Sequence, residues 1–423
     1  MVAKTSTQNA LHTLAVTTKP SSLMSFPTLR GLQNPLLFSR LGKGLLGWGA
    51  SIRAEFSGPE RFADAHAWWG NLCKRARVTD EVRRPGTGLV AFGAFTFADV
   101  SAQTSVVLVP EKIIGIDEWG AFETSIDVLS GSHDTELPPS PEHRTSGVGS
   151  GWVAADVSSD RFVSLVTRVK KDIQSGLLHK AVIARDLIRA IPEEFSLGGV
   201  LTRLSEAYPD TLAFSVDGLV GASPETLASV RGQHVSLRVL AGSSGRGTNE
   251  EEDAEKARAL ATSQKDLDEH QFAVQNVIHT LQSYGVRAVA DDTPFQLKLP
   301  NLWHLATDVR AVLPKYYSSL QVIEALHPTA AVAGSPTADA LRFIEFHEGL
   351  DRGRYAGPVG WIDARGDGDW AIALRCAQID RGSRTITAYA GAGIVAESDP
   401  VKEHLETELK FQPIIGAVNQ ELT

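Results

Sequence analysis

Apolar positions with a two-residue period, cut into short runs by glycine and proline, dominate the first third of the chain. Residues 44–53 (GLLGWGASIR) and 88–96 (GLVAFGAFT) read as strands bounded by glycine, with a helical stretch over 63–77 between them. Residues 105–110 and 113–116 read as a further hairpin, so the opening is mostly antiparallel. Between 131 and 151 the pattern stops, and Pro, Ser and Gly collect as in a linker or a long surface loop. The period then lengthens: Phe162, Leu165, Val166, Val169 and Ile173 recur at helical spacing before Gly176, which suits a glycine cap. Strands follow at 181–188, across 212–230 and at 235–240. An acidic helical stretch starts at Asn249, and Ser263 with Asp266 three residues on restarts a helix that ends near Gly285. The final third repeats strand and helix: 303–312, a helix over 319–326, strands at 357–363, 370–378 and 385–390, and a closing helix. No repeat of fixed period is present.

Composition narrows the function classes. The 423 residues carry 43% hydrophobic and 22% charged positions with a net charge of -9, enough for a large core and poorly suited to a nucleic-acid partner, which needs clustered Lys and Arg. Cys73 and Cys376 stand about 300 positions apart with no metal spacing, so neither a disulfide framework nor a zinc site is expected. No apolar run is long enough for a membrane span, and a reducing cytoplasm fits. No acidic residue precedes Glu55, a composition that suits an organelle transit peptide or a variable N-terminal extension; residues 1–43 are read as the extension and 44–423 as one domain.

Candidate chemistry concentrates late. Residues 388–411 (AYAGAGIVAESDPVKEHLETELKF) combine a strand end, a glycine turn and a helix that puts Glu403, Glu406 and Lys410 on one face. Such a face holds a divalent metal, an anion, or only water. The helix after Ser263 carries Asp266 and Glu269 at the same spacing, and oxygen-only ligands from two helices suit Mg²⁺. The glycine-rich run 242–247 lacks the Lys-Ser/Thr of a phosphate loop, and the acids 250–253 occupy the helix start where a phosphate would sit, so a nucleotide site is rejected. Lys180, opening a half-buried strand, is either a base with a lowered pKa or a strand-edge lysine in water. Glu225 sits in a Ser-Pro turn, ordinarily a surface position. Arg375, amid apolar neighbours in WAIALRCAQI, needs an anion, either a substrate carboxylate or a structural acid.

Taken together these stretches resemble the chorismate-utilising enzymes, most closely the isochorismate synthases. The motifs, in order, are HKAVIAR from His179, GASPETL from Gly221, LAGSSGRG from Leu240, SQKDLDEH from Ser263, LWHLAT from Leu302, HPTAAVAGSP from His327, YAGPVGW from Tyr355, ALRC from Ala373, AGAGIV from Ala390 and EHLETELK from Glu403. They span about 156–412. The resemblance implies a single large α/β domain of two stacked, mainly antiparallel sheets flanked by helices, like anthranilate synthase component I. It implies that Lys180 deprotonates a water attacking C2 of chorismate while Glu225 protonates the departing C4 hydroxyl. It also implies Mg²⁺ on Glu269 and Glu406, with Asp266 and Glu403 steering its waters. Arg375, Lys410 and the amides around Gly391 and Gly393 would then hold the substrate's carboxylates, Gly242 would let the backbone approach, and His304 and Thr329 would line the ring.

Positions within the motifs separate relatives. Anthranilate synthases resemble the chain but carry glutamine where Lys180 stands, and aminodeoxychorismate synthases carry a nucleophilic lysine in place of Ala241. Salicylate synthases share Lys180 and Ala241 and eliminate pyruvate from isochorismate, so they stay open as an alternative. A non-catalytic α/β binding protein is the alternative from another class. Gln264 departs from an SEKD run common among relatives. The expectation is a monomer without an amidotransferase subunit, making isochorismate for menaquinone or a siderophore.

Overall fold

A computed structural model of the chain describes residues 12–49, 51–130, 148–299, 302–314 and 317–423. Its described residues form two sheets, of thirteen and ten strands. Thr13–Ser21 pairs in parallel with Ala76–Asp80; the other described ladders are antiparallel, as expected from the short glycine-bounded runs. Edge and centre differ in the way burial dictates. Thr13–Ser21 begins with alternating buried positions, whereas Val90–Ala94 and Ser105–Val109 are buried at every position and read as continuous apolar runs. Phe92, Phe95, Phe122, Phe214 and Trp370 fill the space between the sheets, and the Phe62 and Phe95 rings stack at 4.5 Å.

Helices cover the outer faces. Ser159–Gln174 starts at a Ser158 cap that accepts from the Arg161 amide, and Gln264–Ser283 starts at Ser263, which accepts from the Asp266 amide. The closing helix, Pro400–Glu421, begins at Asp399, whose carboxylate accepts from the amides of Val401 and Lys402.

The N-terminal boundary expected at 43/44 needs correction. Leu36–Arg40 and Lys43–Trp48 are the two arms of one hairpin, and Thr13–Ser21 lies in the same large sheet. Leu14, Val16, Leu37 and Phe38 are buried, so from Thr13 onward this segment is part of the domain. Residues 1–11, and the stretch 131–147 of the proposed linker, lie outside the described residues.

The feature that positions the site is a pair of crossings between sheets. The stretch 212–230, read as one strand region, is three strands: Leu212–Val216 and Leu219–Ser223 belong to the large sheet, and Thr226–Arg231 to the smaller one. The chain crosses at Pro224 and Glu225. The stretch 370–378 likewise divides into Gly368–Ile372 in the smaller sheet and Cys376–Asp380 in the large one, with Leu374 and Arg375 at the crossing. Arg375 has φ of 50°, a left-handed conformation that ends strand pairing. The two crossings run side by side: the Ser223 hydroxyl donates to the Ile372 carbonyl at 2.6 Å, the Ile372 amide donates to the Glu225 carbonyl, and the Ala222 amide donates to the Arg375 carbonyl.

Candidate active site

Where the two crossings meet, the chain forms a partly open cavity of about 190 Å³, room for roughly ten or more waters at about 15 Å³ each. Lys180 enters from the first residue of Lys180–Ala190, which pairs with Thr385–Ile394 so that Val182 faces Gly393 and Ala184 faces Gly391. A Cβ at Gly393 would come within 2.8 Å of Lys180 Cε, so the absence of a side chain there makes room for the lysine. From the smaller sheet come His304 and Gly242. Gly242 occupies a bulge between Ala241, opposite Leu305, and Ser243, opposite His304. Its φ of 79° suits glycine, and it turns the strand where the Asp266 side chain approaches. Asp266 and Glu269 come from Gln264–Ser283, and Glu403, Glu406 and Lys410 from the closing helix.

The cavity therefore brings together Lys180, Glu225, Gly242, Asp266, Glu269 and His304 with Arg375, Gly391, Gly393, Glu403, Glu406 and Lys410. Thr329 is the exception. It lines a smaller neighbouring cavity that shares Glu225 and Ala331 with the first, because the HPT turn passes behind Glu225 and not beside the main space.

Charge is distributed unevenly in this space. Glu225 is buried, and desolvation pushes its carboxyl up to about 8 against the opposing pull of Lys180, Arg375 and Lys410; at neutral pH it is a neutral acid. His304 is also neutral: burial, then Arg375 and Lys410, press its imidazole down to about 3. Its Nδ1 bonds Ser243 Oγ at 2.8 Å, and its buried Nε2 has no partner among the described residues. The Arg375 guanidinium is pulled down by burial, and among the described residues no carboxylate lies within salt-bridge distance of it. An unpaired cation lining a partly open cavity is a seat for an anion. Glu406 is raised by burial but lowered further by Lys410 and Arg375, so it remains ionised, whereas burial holds Glu403 above the ordinary value.

Two lysines occupy the acids expected to bind metal. Lys180 Nζ lies 2.6 Å from Glu269 Oε1, and Lys410 Nζ lies 2.5 Å from Glu406 Oε1 while also donating to the Gly391 carbonyl at 2.9 Å. Lys410, expected to contact a substrate carboxylate, is paired here with Glu406, one helical turn away on the same face. Among the described residues no three acidic, histidine or cysteine side chains converge tightly enough to hold a metal unaided.

Some residues that line or brace the site are not singled out by the sequence. Tyr355 and Tyr389 stack at 5.3 Å and 13° along one wall, and each lies within or beside a quoted motif, which was the available signal. His270 bonds the Ala241 carbonyl at 3.1 Å and Thr307 Oγ1 at 2.7 Å, fixing the bulged strand to the helix that carries Glu269. Glu348 and Arg352, fully buried, form a two-pronged pair with both contacts at 2.7 Å. Glu348 also accepts from the Ala184 amide, and Arg352 donates to the Val182 and Val332 carbonyls. This pair clamps the Lys180 strand to the opposite wall, and only side-chain packing over a long sequence distance reveals it.

A family described as chorismate binding enzyme matches residues 123–419, which contain every site residue above. The chain belongs to the chorismate-binding enzyme family. Isochorismate synthase MenF of Bacillus subtilis is 29% identical over 402 residues, covering 89% of this chain and 85% of its own. The salicylate biosynthesis isochorismate synthase of Pseudomonas aeruginosa is 30% identical over 393 residues, covering 88% and 82%. The solved structure of MenF, the menaquinone-specific isochorismate synthase from Escherichia coli, superposes with a TM-score of 0.73 at 20% identity over 97% of this chain and 95% of that one, a likeness of fold. The family's two-sheet α/β architecture is thus the one observed. Among the described residues no helix is long and apolar enough to cross a membrane.

Proposed function

We propose that this chorismate-binding enzyme is an isochorismate synthase, adding water at C2 of chorismate as the C4 hydroxyl departs. The observation that carries the reading is the pairing, in one cavity, of a carboxylic acid kept protonated at neutral pH with an amine on another strand. Glu225, neutral to about pH 8, gives its proton to the leaving hydroxyl, which would otherwise depart as hydroxide. Lys180 accepts the proton of the attacking water. Arg375, unpaired by any described carboxylate, takes a substrate carboxylate, and the amides around Gly391 and Gly393 line the same side. The buried His304 Nε2 offers a hydrogen bond to the ring substituents.

The donor set fits a hard divalent cation. Glu269 and Glu406 are oxygen ligands in one cavity, already charge-paired with cations, and two carboxylates with water and substrate oxygens meet the habits of Mg²⁺. Glu269 and Glu406, with Asp266 and Glu403 lining the same cavity, would hold Mg²⁺, which would supply positive charge for a substrate carboxylate. Lys180 then serves as the base for the attacking water, and Lys410 as a contact for the substrate anion.

The relatives' names divide between menaquinone and salicylate biosynthesis, and the chemistry starting both is the same. Lys180→Ala tests the reading: it should abolish isochorismate formation while chorismate still binds, as titration calorimetry would register. Turnover at the wild-type rate in this variant would remove Lys180 from the mechanism.

A further inference from the structure

Glu225 is shared by two cavities, and the second has no part in the reaction described so far. The smaller space, about 20 Å³, is also lined by Glu225; one water needs about 10–15 Å³. Most of its wall is apolar, with Leu227, Leu237, Val239 and Val277 contributing. Besides Glu225, the polar residues Thr226, Arg238 and Thr329 interrupt it. Thr329 presents a buried Oγ1 with no hydrogen-bond partner among the described residues. Arg238, 30% exposed and paired in two-pronged fashion with Asp308, marks the side towards solvent.

A buried, unpaired hydroxyl and a buried acid that line one space of single-water volume make that space a place for a water. The rear space also meets a need of the proposed reaction, on which this inference rests. Each turnover leaves Glu225 as a carboxylate, and the acid must be restored before the next. When product fills the front cavity, the rear one still keeps Glu225 in reach of water. We infer that the rear cavity holds one water, positioned by the Thr329 hydroxyl, that returns the proton to Glu225. In that step an O–H bond of the water breaks as the carboxyl O–H forms, and a proton from bulk solvent, entering beside Arg238, restores the water. Thr329 is a positioning residue here, acting through the water and not on the substrate.

The experiment compares the full chain with Thr329→Val, Thr329→Ser and Ala273→Val, the last adding two methyl groups where Ala273 lines the rear space. Isochorismate formation is followed in H₂O and D₂O across pH. Thr329→Val and Ala273→Val should lower kcat about tenfold, the value of one hydrogen bond, with KM changed less than about twofold and a larger D₂O effect on kcat. Thr329→Ser should restore most of the rate. A raised KM with kcat intact in Thr329→Val would place the hydroxyl on the substrate, and a wild-type kcat in Ala273→Val would show the rear space to be idle; either overturns the inference. A crystal structure of the unliganded protein decides it without turnover: an ordered water within hydrogen-bond distance of Thr329 Oγ1 and the Glu225 carboxyl is expected, and an empty rear cavity overturns it. Wild-type protein inert towards chorismate would instead refute the function proposed for the front cavity.

Discussion

Replacing Glu225 by glutamine separates its acidity from its shape. Burial moves the carboxyl from an ordinary 4.5 to about 8. At pH 7 a group titrating at 8 is ~90% protonated, against ~0.3% for one at 4.5, so the fold enriches the proton donor roughly 300-fold. Glutamine keeps the volume and the neutral burial but has no proton to give, and loss of a positioned general acid costs about 10²- to 10⁴-fold in kcat. The same shift has a stability consequence of definite sign. Because the folded pKa is raised, the favourable term is present below pH 4.5 and lost as pH rises towards 8. At ~1.4 kcal/mol per unit the loss is on the order of 4–5 kcal/mol. The substituted amide never ionises, so Glu225→Gln should gain thermal stability relative to wild type between pH 5 and pH 9. Isochorismate formation resolved by chromatography gives the rate, and melting curves at both pH values give the stability. The wild-type kcat/KM should show an alkaline limb near 8. A variant with wild-type kcat, or a melting difference unchanged between pH 5 and pH 9, would refute the reasoning.

Other perturbations probe the rest of the site. Arg375→Met should raise KM for chorismate at least tenfold, since a charge-assisted bond to a substrate carboxylate contributes about 1.5–3 kcal/mol; steady-state kinetics with an unchanged KM would remove the carboxylate seat. Glu269→Gln should raise the Mg²⁺ concentration for half-maximal activity, and calorimetric Mg²⁺ titration of the variant should show weakened binding. Glu348→Gln leaves Arg352 buried beside a neutral partner and should cost about 3–5 kcal/mol by urea unfolding; a loss under about 1 kcal/mol would deny the clamp its structural role.

Much of the smaller-scale structure was legible because local rules act alone there. The helix expected over 319–326 is observed as Ser319–Leu326, and the strand expected at 303–312 as Leu302–Val312. The cap at Ser263 forms as its side chain requires. What failed was the assignment of runs to sheets. Residues 44–53 contribute to Lys43–Trp48 in one sheet and Ile52–Phe56 in the other, and 370–378 divides at Arg375. An apolar run looks the same whether its strand stays in one sheet or steps to the next, because both environments are buried. The helix Leu197–Ala207 went unread although Ser196 caps it. Its buried Gly198 and Gly199 disguise the pattern, and they are tolerated because Leu29 and Glu421 press against them.

The site divides along the same line. Spacing on single helices pointed to Asp266 with Glu269 and to Glu403 with Glu406, since one helical turn brings such pairs together. Spacing carried nothing about which helices share a cavity, and it gave Lys180 and Glu225 bland alternatives; the family motifs joined them. Spacing placed Lys410 and Glu406 on one face, where they pair, but neither kind of reading reached the Lys180–Glu269 pair or the rear position of Thr329. These depend on side chains converging from strands and helices far apart in sequence.

The most direct measurement is the product formed from chorismate and Mg²⁺ in ¹⁸O-labelled water, resolved by chromatography with mass detection. The account predicts isochorismate carrying one ¹⁸O at the C2 hydroxyl, with no pyruvate released. Salicylate and pyruvate in equal amounts, isochorismate without label, or no turnover at all would contradict it.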